Sequence, residues 1–437
     1  MSLGSAVVPR DFAMPVTRGL YSLALWLAQP LLRRKLAQRA RQEPRYAQAV
    51  EQRFGYYDIA PATADHGQPF PYVWLHAVSL GETRAAAVLI AALRARHPGM
   101  RLLLTHGTAT GWEQGTALLQ AVDVQVWQPW DTPGAVQRFL AHFKPRIGLL
   151  METEVWPNMV AACARAGVPL CLVNARMSEA SMRQALRLRS LSRPAYAGLH
   201  AVLAQTEVDA TRLRALGAAV QAVTGNLKFD ATPDAALLAQ GRAWRATRTQ
   251  PVLMFTSSRE GEEQMLIDAL QASPLPGVQW LIVPRHPQRF DAVAALFAAA
   301  GFSVSRRSAW TDAPHSAEVW LGDSLGEMAL YYGLADAALL GGSFAPLGGQ
   351  NLIEAAACAC PVLMGQHTFN FAQAAEMAEA AGAALRCADL PDALRQGSAL
   401  LADAAALERT RQAALQWSVA HQGATERTLE ALESVGV

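Results

Sequence analysis

Several charged side chains stand where apolar runs end, at positions suited to acid–base chemistry. Glu82 follows the run Tyr72–Ala77 and opens a helix, so its carboxylate could take a proton from an attacking hydroxyl. An ordinary glutamate in a first helical turn, stabilised by the helix dipole, is the alternative. Glu152 directly follows the very apolar run Ile147–Met151, where a carboxylate is costly unless it is paired or takes part in a reaction.

Two further charged residues extend this group. Glu154 is expected to cap the helix that Pro157 helps to start. Lys228 stands in the polar segment Thr224–Asp230 and is one of only three lysines in the chain. A compact cation at this position could neutralise a carboxylate or a phosphate, unless it is simply a solvated surface lysine.

The second half of the chain contains a glycine-rich segment typical of nucleotide binding. Gly341–Glu354 places two glycine pairs between an apolar run and a helix that begins near Asn351. Glycines allow a close backbone approach, and a helix N-terminus offers free N–H groups to a phosphate. Glu354, one turn into that helix, could hold ribose hydroxyls. The ending of a Walker A loop is missing, and a plain glycine-rich turn before a helix is the alternative.

Three other loops of this half also follow apolar runs. Thr256–Glu263 offers hydroxyls and backbone N–H groups suited to an anion. Arg285 is a fork-shaped donor matched to a phosphate or a carboxylate. Its neighbour His286 is either a functional group or a packed histidine, and both interpretations stay open. Gly322–Glu327 is a further loop of the same kind.

Composition excludes several classes of protein. Hydrophobic residues make up 51% and charged residues 17% of the 437, which excludes a disordered chain and a coiled coil. The formal net charge of +2 argues against a nucleic-acid partner bound through bulk charge. The five cysteines are few and mostly lie in apolar runs, which fits buried free thiols. No cluster has metal-ligand spacing, so neither a metal nor another cofactor is predicted.

Short apolar runs alternate with helical stretches along most of the chain. This alternation predicts βαβ units, parallel sheets and an α/β fold with two Rossmann-like halves. Ligands of such sheets bind beyond the carboxyl ends of the strands, and two halves facing each other would share a central cleft. The predicted segments are 1–55, 56–230 and 231–437, with a polar break at 226–250. The predicted strands are Tyr72–Ala77, Arg101–Thr105, Ile147–Met151, Val168–Val173, Ala201–Ala204, Val220–Val223, Val252–Phe255, Trp280–Val283, Ala337–Leu340 and Val362–Met364.

The amino terminus combines an apolar stretch with a basic cluster. Residues 1–53 hold nine basic and three acidic side chains, and the apolar stretch Leu20–Leu32 precedes Arg33-Arg34-Lys35. The stretch is shorter than the roughly 20 residues of a spanning helix. We therefore expect a helix on the cytoplasmic leaflet, with Tyr21 and Trp26 at the interface and the basic residues on anionic headgroups. A helix packed on the protein and a helix that spans the membrane are the alternatives.

Taken together and in order, these motifs resemble those of the 3-deoxy-D-manno-octulosonic acid (Kdo) transferase family. The resemblance covers about residues 18–420. The matching segments are Arg53–Gly55, His76–Glu82, Met151–Asn158, Val173–Ser178, Gly225–Asp230, Pro284–Pro287, Gly322–Glu327, Gly341–Glu354 and Phe369–Phe371.

The resemblance implies a GT-B glycosyltransferase that moves Kdo from CMP-Kdo to lipid IVA, with inversion, at the cytoplasmic side of the inner membrane. Residues 1–55 would associate with the membrane, 56–230 would bind the acceptor and 231–437 would bind CMP-Kdo. The resemblance makes Glu82 the general base and Glu152 and Lys228 groups that stabilise the transition state. The implied CMP contacts are Pro284, Arg285, Leu325, Gly326, Glu327, Asn351, Leu352, Ile353 and Glu354.

Some positions depart from the family pattern, and other functions stay open. Gln350 stands where the family usually has His, Ser258-Arg259 where it commonly has Thr-His, and Leu325 where it usually has Met. One alternative is a GT-B transferase that uses a uridine nucleotide and another lipid or cell-wall acceptor. Another is a non-catalytic, membrane-associated scaffold that kept the fold.

Overall fold

The computed structural model describes residues 16–59 and 72–436, and these form two compact units. One unit comprises the chain up to Asp230 together with Gly423 onward, and the other comprises Ala231–Gln422. Arg10 and Asp11, which belong to the basic amino-terminal count, lie outside the described residues.

The first unit is built on a seven-stranded parallel sheet with strand order β3-β2-β1-β4-β5-β6-β7. Its central strands are continuous apolar runs because helices cover both faces of a parallel sheet. Two hydrophobic cores result, one on each side of the sheet. The elements are α1 Val16–Leu27, α2 Gln29–Ala40, β1 Tyr72–His76, α3 Leu80–Arg96, β2 Arg101–His106, α4 Ala109–Thr116, β3 Val124–Trp127, α5 Pro133–Phe143, β4 Ile147–Met151, α6 Pro157–Ala166, β5 Leu170–Ala175, α7 Glu179–Arg187, α8 Arg189–Ala197, β6 Ala201–Ala204, α9 Glu207–Ala215 and β7 Val220–Val223.

The second unit repeats this architecture with strand order β10-β11-β9-β8-β12-β13-β14, again all parallel. Both sheets are therefore doubly wound, with connections that leave the centre in opposite directions. The elements are α10 Ala235–Ala246, β8 Val252–Ser258, α11 Glu262–Ala272, β9 Gln279–Pro284, α12 Phe290–Ala299, β10 Val304–Arg306, β11 Val319–Leu321, α13 Met328–Leu334, β12 Ala337–Leu340, α14 Leu352–Ala357, β13 Val362–Met364, α15 Ala372–Ala380, β14 Ala384–Arg386, α16 Leu390–Ala402 and α17 Ala404–Ala420.

The structure differs from the predicted division of the chain in two places. The last helix, α18 (Ala424–Ser434), was assigned to the second half, but Leu429 and Leu432 pack into the core of the first sheet. Its start is held by Asp230, whose carboxylate accepts hydrogen bonds from the N–H groups of Gly423 and Thr425. The polar break at 226–250 contains helix α10, because the side chain of Asp234 caps the start of that helix.

Helix α1 presents its apolar side outward. Val16, Leu20, Leu23 and Leu27 recur at helical spacing and are 52–79% exposed, whereas Arg18 is buried. The following helix α2 carries the basic cluster. Within the described residues, no helix has both the length and the hydropathy that crossing a bilayer requires.

Candidate active site

The two predicted catalytic carboxylates follow neighbouring strands at the centre of the first sheet. Strand β1 pairs with β4, and this pair is the point where the strand order reverses. In doubly wound sheets the ligand site lies at the carboxyl ends of such strands. Glu82 follows β1 and Glu152 follows β4, so both side chains belong to this edge.

Glu82 lies in the first turn of α3 and folds back on its own loop. Its Oε2 accepts a 2.6 Å hydrogen bond from the N–H of Val78, and its Oε1 accepts one of 3.3 Å from the hydroxyl of Ser79. Ser79 is the N-cap of α3, so the capping residue and the carboxylate hold each other. Burial, together with the negative charge of Glu152, raises the pKa of Glu82 to about 7.

Glu152 is a buried carboxylate held between two cations. The Nζ of Lys228 lies 2.7 Å from its Oε1, and the Nε of Arg176 lies 3.2 Å from its Oε2. Its backbone has a φ of 57°, a left-handed conformation that costs a glutamate on the order of 1–3 kcal/mol. Burial alone would raise the pKa of Glu152, but the charges of Lys228 and Arg176 outweigh burial and hold the pKa below its ordinary value.

The two carboxylates are therefore prepared for different tasks. Glu152 stays ionised because its cations compensate the charge, and that retained charge makes ionisation of Glu82 less favourable. A carboxyl group with a pKa of about 7 is suited to accept a proton near neutral pH. Glu154, expected to cap α6, instead lies largely buried nearby, where burial and Glu152 raise its pKa, and it makes no cap bond.

Asn174, on strand β5, holds the turn that carries Lys228. It is fully buried and has a φ of 52°. Its Oδ1 accepts a hydrogen bond of 3.1 Å from the N–H of Leu227, which begins the short 3-10 helix Leu227–Asp230 that carries Lys228. The N–H of Arg176 donates to the backbone oxygen of Glu152. The sequence pattern selected neither Asn174 nor Arg176, although both lie in the matching segment Val173–Ser178.

The predicted nucleotide contacts all lie at the carboxyl edge of the second sheet. Pro284 and Arg285 follow β9, Leu325–Glu327 follow β11, and the glycine segment follows β12. Arg285 donates a 3.0 Å hydrogen bond from its Nε to the Oε1 of Gln350, so Gln350 acts here as an acceptor. The structure thus brings these residues together at one edge.

These contacts differ in what they can offer a ligand. Leu325 is 73% exposed, and Gly326 has a φ of 83° with open space beside its Cα. Glu327 is engaged by the guanidinium of Arg307 at 2.7 Å and by the hydroxyl of Ser324. Its carboxylate is therefore held within the loop.

The helix behind the glycine segment is short and partly capped. The Oδ1 of Asn351 accepts a hydrogen bond of 3.2 Å from the N–H of Ile353. Leu352 and Ile353 are buried, so only their backbone could reach a ligand. Glu354 is half-buried.

A carboxylate of the protein occupies the anion position predicted in Thr256–Glu263. The fully buried Glu262 accepts hydrogen bonds from the N–H groups of Arg259, Gly342, Phe344 and Ala345. The side chain therefore stabilises the glycine segment from inside and binds the N–H of Arg259, one of the N–H groups of Thr256–Glu263 that the sequence offered to an anion. His286 precedes a short 3-10 helix without capping it, and burial together with neighbouring arginines lowers its pKa.

Among residues 16–59 and 72–436, no group of three or more His, Cys, Asp or Glu side chains is placed to hold a metal ion. At the edge of the first sheet, Glu152 and Lys228 pair with each other.

Two doubly wound parallel sheets with charged loops at their carboxyl edges define the GT-B class of α/β proteins, as the sequence predicted. The UDP-GlcNAc 2-epimerase of Neisseria meningitidis shares this fold, with a TM-score of 0.55 and 15% identity over 84% of this chain and 100% of that chain. A family model described as 3-deoxy-D-manno-octulosonic-acid transferase (kdotransferase) matches residues 48–231.

Relatives similar over nearly the full length assign the family. The 3-deoxy-D-manno-octulosonic acid transferase of Bordetella pertussis is 49% identical over 433 residues, covering 95% of this chain and 99% of the relative. That of Haemophilus influenzae is 30% identical over 423 residues, covering 95% and 98%. The chain belongs to the 3-deoxy-D-manno-octulosonic acid transferase family and is a glycosyltransferase, which confirms the resemblance seen in the motifs.

Proposed function

We propose that this enzyme transfers Kdo from CMP-Kdo to lipid IVA with inversion of the anomeric centre, and that Glu82 is the general base. The observation that carries the proposal is the raised pKa of Glu82, about 7, beside a neighbouring carboxylate that stays charged. The family and the ordered motifs support the donor and the acceptor.

In the proposed reaction the acceptor hydroxyl gives its proton to the Glu82 carboxylate. The hydroxyl oxygen bonds to the anomeric carbon of Kdo, the bond from that carbon to the phosphate oxygen breaks, and CMP leaves with the electron pair. Lys228 and Arg176 keep Glu152 ionised, and this fixed charge increases the basicity of Glu82.

The donor would bind at the edge of the second sheet. Arg285 offers a guanidinium fork to the phosphate, and Gln350 orients it through its amide oxygen. Gly326 and the backbone of Asn351–Glu354 allow close approach of the nucleotide. Glu262 would act indirectly by holding the glycine segment in place.

We further propose that the enzyme works at the cytoplasmic side of the inner membrane through its amino-terminal helices. The outward apolar residues of α1 suit the acyl boundary of a bilayer, and the arginines and lysine of α2 suit anionic headgroups. A lipid acceptor would then lie near the enzyme.

The test is a transfer assay with CMP-Kdo and lipid IVA, comparing the wild type with Glu82→Gln and the matched control Glu154→Gln. Wild-type product mass counts the Kdo units. We expect folded Glu82→Gln to lose on the order of 10²–10⁴ in rate and Glu154→Gln to lose far less. Full activity of Glu82→Gln would remove Glu82 from its role. Absence of transfer by folded wild type, or protection by UDP but not CMP, would overturn the donor and acceptor assignment.

A further inference from the structure

Helix α1 is attached to the first unit through its polar side. The hydroxyl of Tyr21 donates to the Oδ2 of Asp131 at 3.1 Å, and the hydroxyl of Ser22 is 3.1 Å from the Oδ1 of Asn158. Arg18 is buried on the same helix. Burial raises the pKa of Asp131 to about 7, although the hydrogen bonds that Asp131 accepts and the charge of Arg18 act in the opposite direction. The sequence predicts Tyr21 at a lipid interface, and the structure corrects this prediction because the hydroxyl of Tyr21 binds Asp131.

The partners of this polar side are themselves tightly fixed. Asp131 is buried and also accepts hydrogen bonds from the N–H groups of Asn158, at 3.0 Å, and Met159, at 2.8 Å. The Nδ2 of Asn158 donates to the backbone oxygen of Asp131 at 2.6 Å. We call Asp131 and Asn158 the polar socket.

The outward side of α1 is unusual for a helix in water. Leu20, Leu23 and Leu27 lie exposed while a tyrosine hydroxyl, a serine and an arginine face the protein. Helices on globular proteins normally bury their apolar stripe. Hydrogen bonds to a buried carboxylate are stronger than neutral ones, so a buried acceptor can set which side of a helix faces inward.

We propose that the polar socket sets the rotation of α1 about its axis, so that the apolar side of the helix meets a lipid bilayer. The inference rests on the membrane association proposed above and adds the residues that orient the helix. Asn158 of the socket lies in the first turn of α6, which follows the loop carrying Glu152 and Glu154. Tyr21 and Ser22 are therefore positioning residues that join the lipid-facing helix to the loop of the candidate active site.

The orientation can be measured with single thiol probes, because the five native cysteines are buried. A polarity-sensitive fluorophore is placed in the full-length protein at Leu23→Cys, on the outward side, or at Leu25→Cys, which is half-buried. Vesicles of phosphatidylethanolamine and phosphatidylglycerol carry a quencher on their acyl chains. We expect at least threefold stronger quenching at position 23 than at position 25.

The decisive variant is Tyr21→Phe with Ser22→Ala, which removes both hydroxyls that α1 presents to the polar socket and leaves the bonds from the N–H groups of Asn158 and Met159 to Asp131 intact. We expect the quenching ratio, which is the quenching at position 23 divided by that at position 25, to fall towards one in this variant. Tyr56→Phe, at an exposed tyrosine outside the socket, is the matched control and should keep the wild-type ratio. Circular dichroism verifies that each variant is folded.

The outcomes separate the two proposals. An unchanged ratio in the double variant would overturn the role of the socket while leaving membrane association in place. Absence of lipid quenching at both positions in the wild-type background would overturn membrane association and with it this inference. Asp131→Asn replaces the carboxylate that accepts the hydrogen bond from Tyr21, and the quenching ratio should fall in this variant too.

Discussion

Replacing Glu152 by glutamine should move the acid limb of the pH–rate profile to lower pH. Burial and the charge of Glu152 together raise the pKa of Glu82 to about 7 from an ordinary 4.5. At an effective dielectric of about 20, nearby unit charges in a protein interact by on the order of 1–4 kcal/mol. Because burial is the larger cause and remains in the variant, we expect a fall of about one pKa unit, or ~1.4 kcal/mol.

The sign follows from the role of Glu82 as a base. The carboxylate must be deprotonated to act, so kcat/KM rises as pH increases through the pKa of Glu82 in the free enzyme. A pKa lower by about one unit leaves about five times more of the base deprotonated at pH 6. For each protein, the rate at pH 6 is divided by its own plateau rate at high pH. This ratio should be about five times larger for Glu152→Gln than for the wild type, and it does not depend on the plateau rate itself.

The assay measures initial rates of Kdo transfer from pH 5 to pH 9. Glu154→Gln is the matched control, because Glu154 is a weaker influence on Glu82 than Glu152, and its acid limb should shift less. An acid limb that stays at the wild-type pH in Glu152→Gln would refute the reasoning that this charge tunes the base. A shift to higher pH would refute it equally.

Three further predictions concern residues that hold the loops at the carboxyl edges of the two sheets. Asn174→Ala should lower kcat more than it raises KM, because it loses the bond that holds the turn carrying Lys228, and steady-state kinetics separate the two effects. Gly341→Ala should weaken CMP binding or abolish folding, because an added Cβ would lie 2.2 Å from a backbone oxygen of β8. Calorimetric titration with CMP measures the binding. Gly81→Ala, at a position with room for a Cβ, is the control and should bind CMP normally. Arg285→Lys should reduce CMP affinity roughly tenfold, measured by the same titration, because a lysine loses both the fork and its directed bond to the neighbouring amide.

Most of the sheet could be predicted because central parallel strands are continuous apolar runs. All ten predicted strands are present, with ends that differ by a few residues. The strands β3, β10, β11 and β14 were missed. Three of these lie at sheet edges, and three are only three residues long. Short strands leave too few residues for a hydrophobic pattern to stand out from a loop.

The residues of the candidate site could be predicted where a reactive side chain directly follows a strand. They could not be predicted where their role depends on a contact with a residue distant in the sequence. Glu82 and Glu152 could be selected because a carboxylate after a buried parallel strand has one predictable location. The contact between Glu152 and Lys228 joins residues 76 positions apart, and the role of Asn174 depends on a left-handed backbone at an ordinary-looking strand end. Neither feature has a periodic signature in the sequence.

The amino-terminal helix shows a more general limit of such patterns. Periodicity shows that a helix has an apolar side and a polar side, but it contains no information about which side faces the protein. In α1 that choice is made by Asp131, 110 residues from Tyr21, and by Asn158, 136 residues from Ser22. The carboxylate of Asp131 already accepts hydrogen bonds from the first turn of α6 and can accept one more from a hydroxyl. A leucine side chain has no hydrogen-bond donor. The expected environment of Tyr21 was wrong for this reason, and the apolar side of α1 is left exposed.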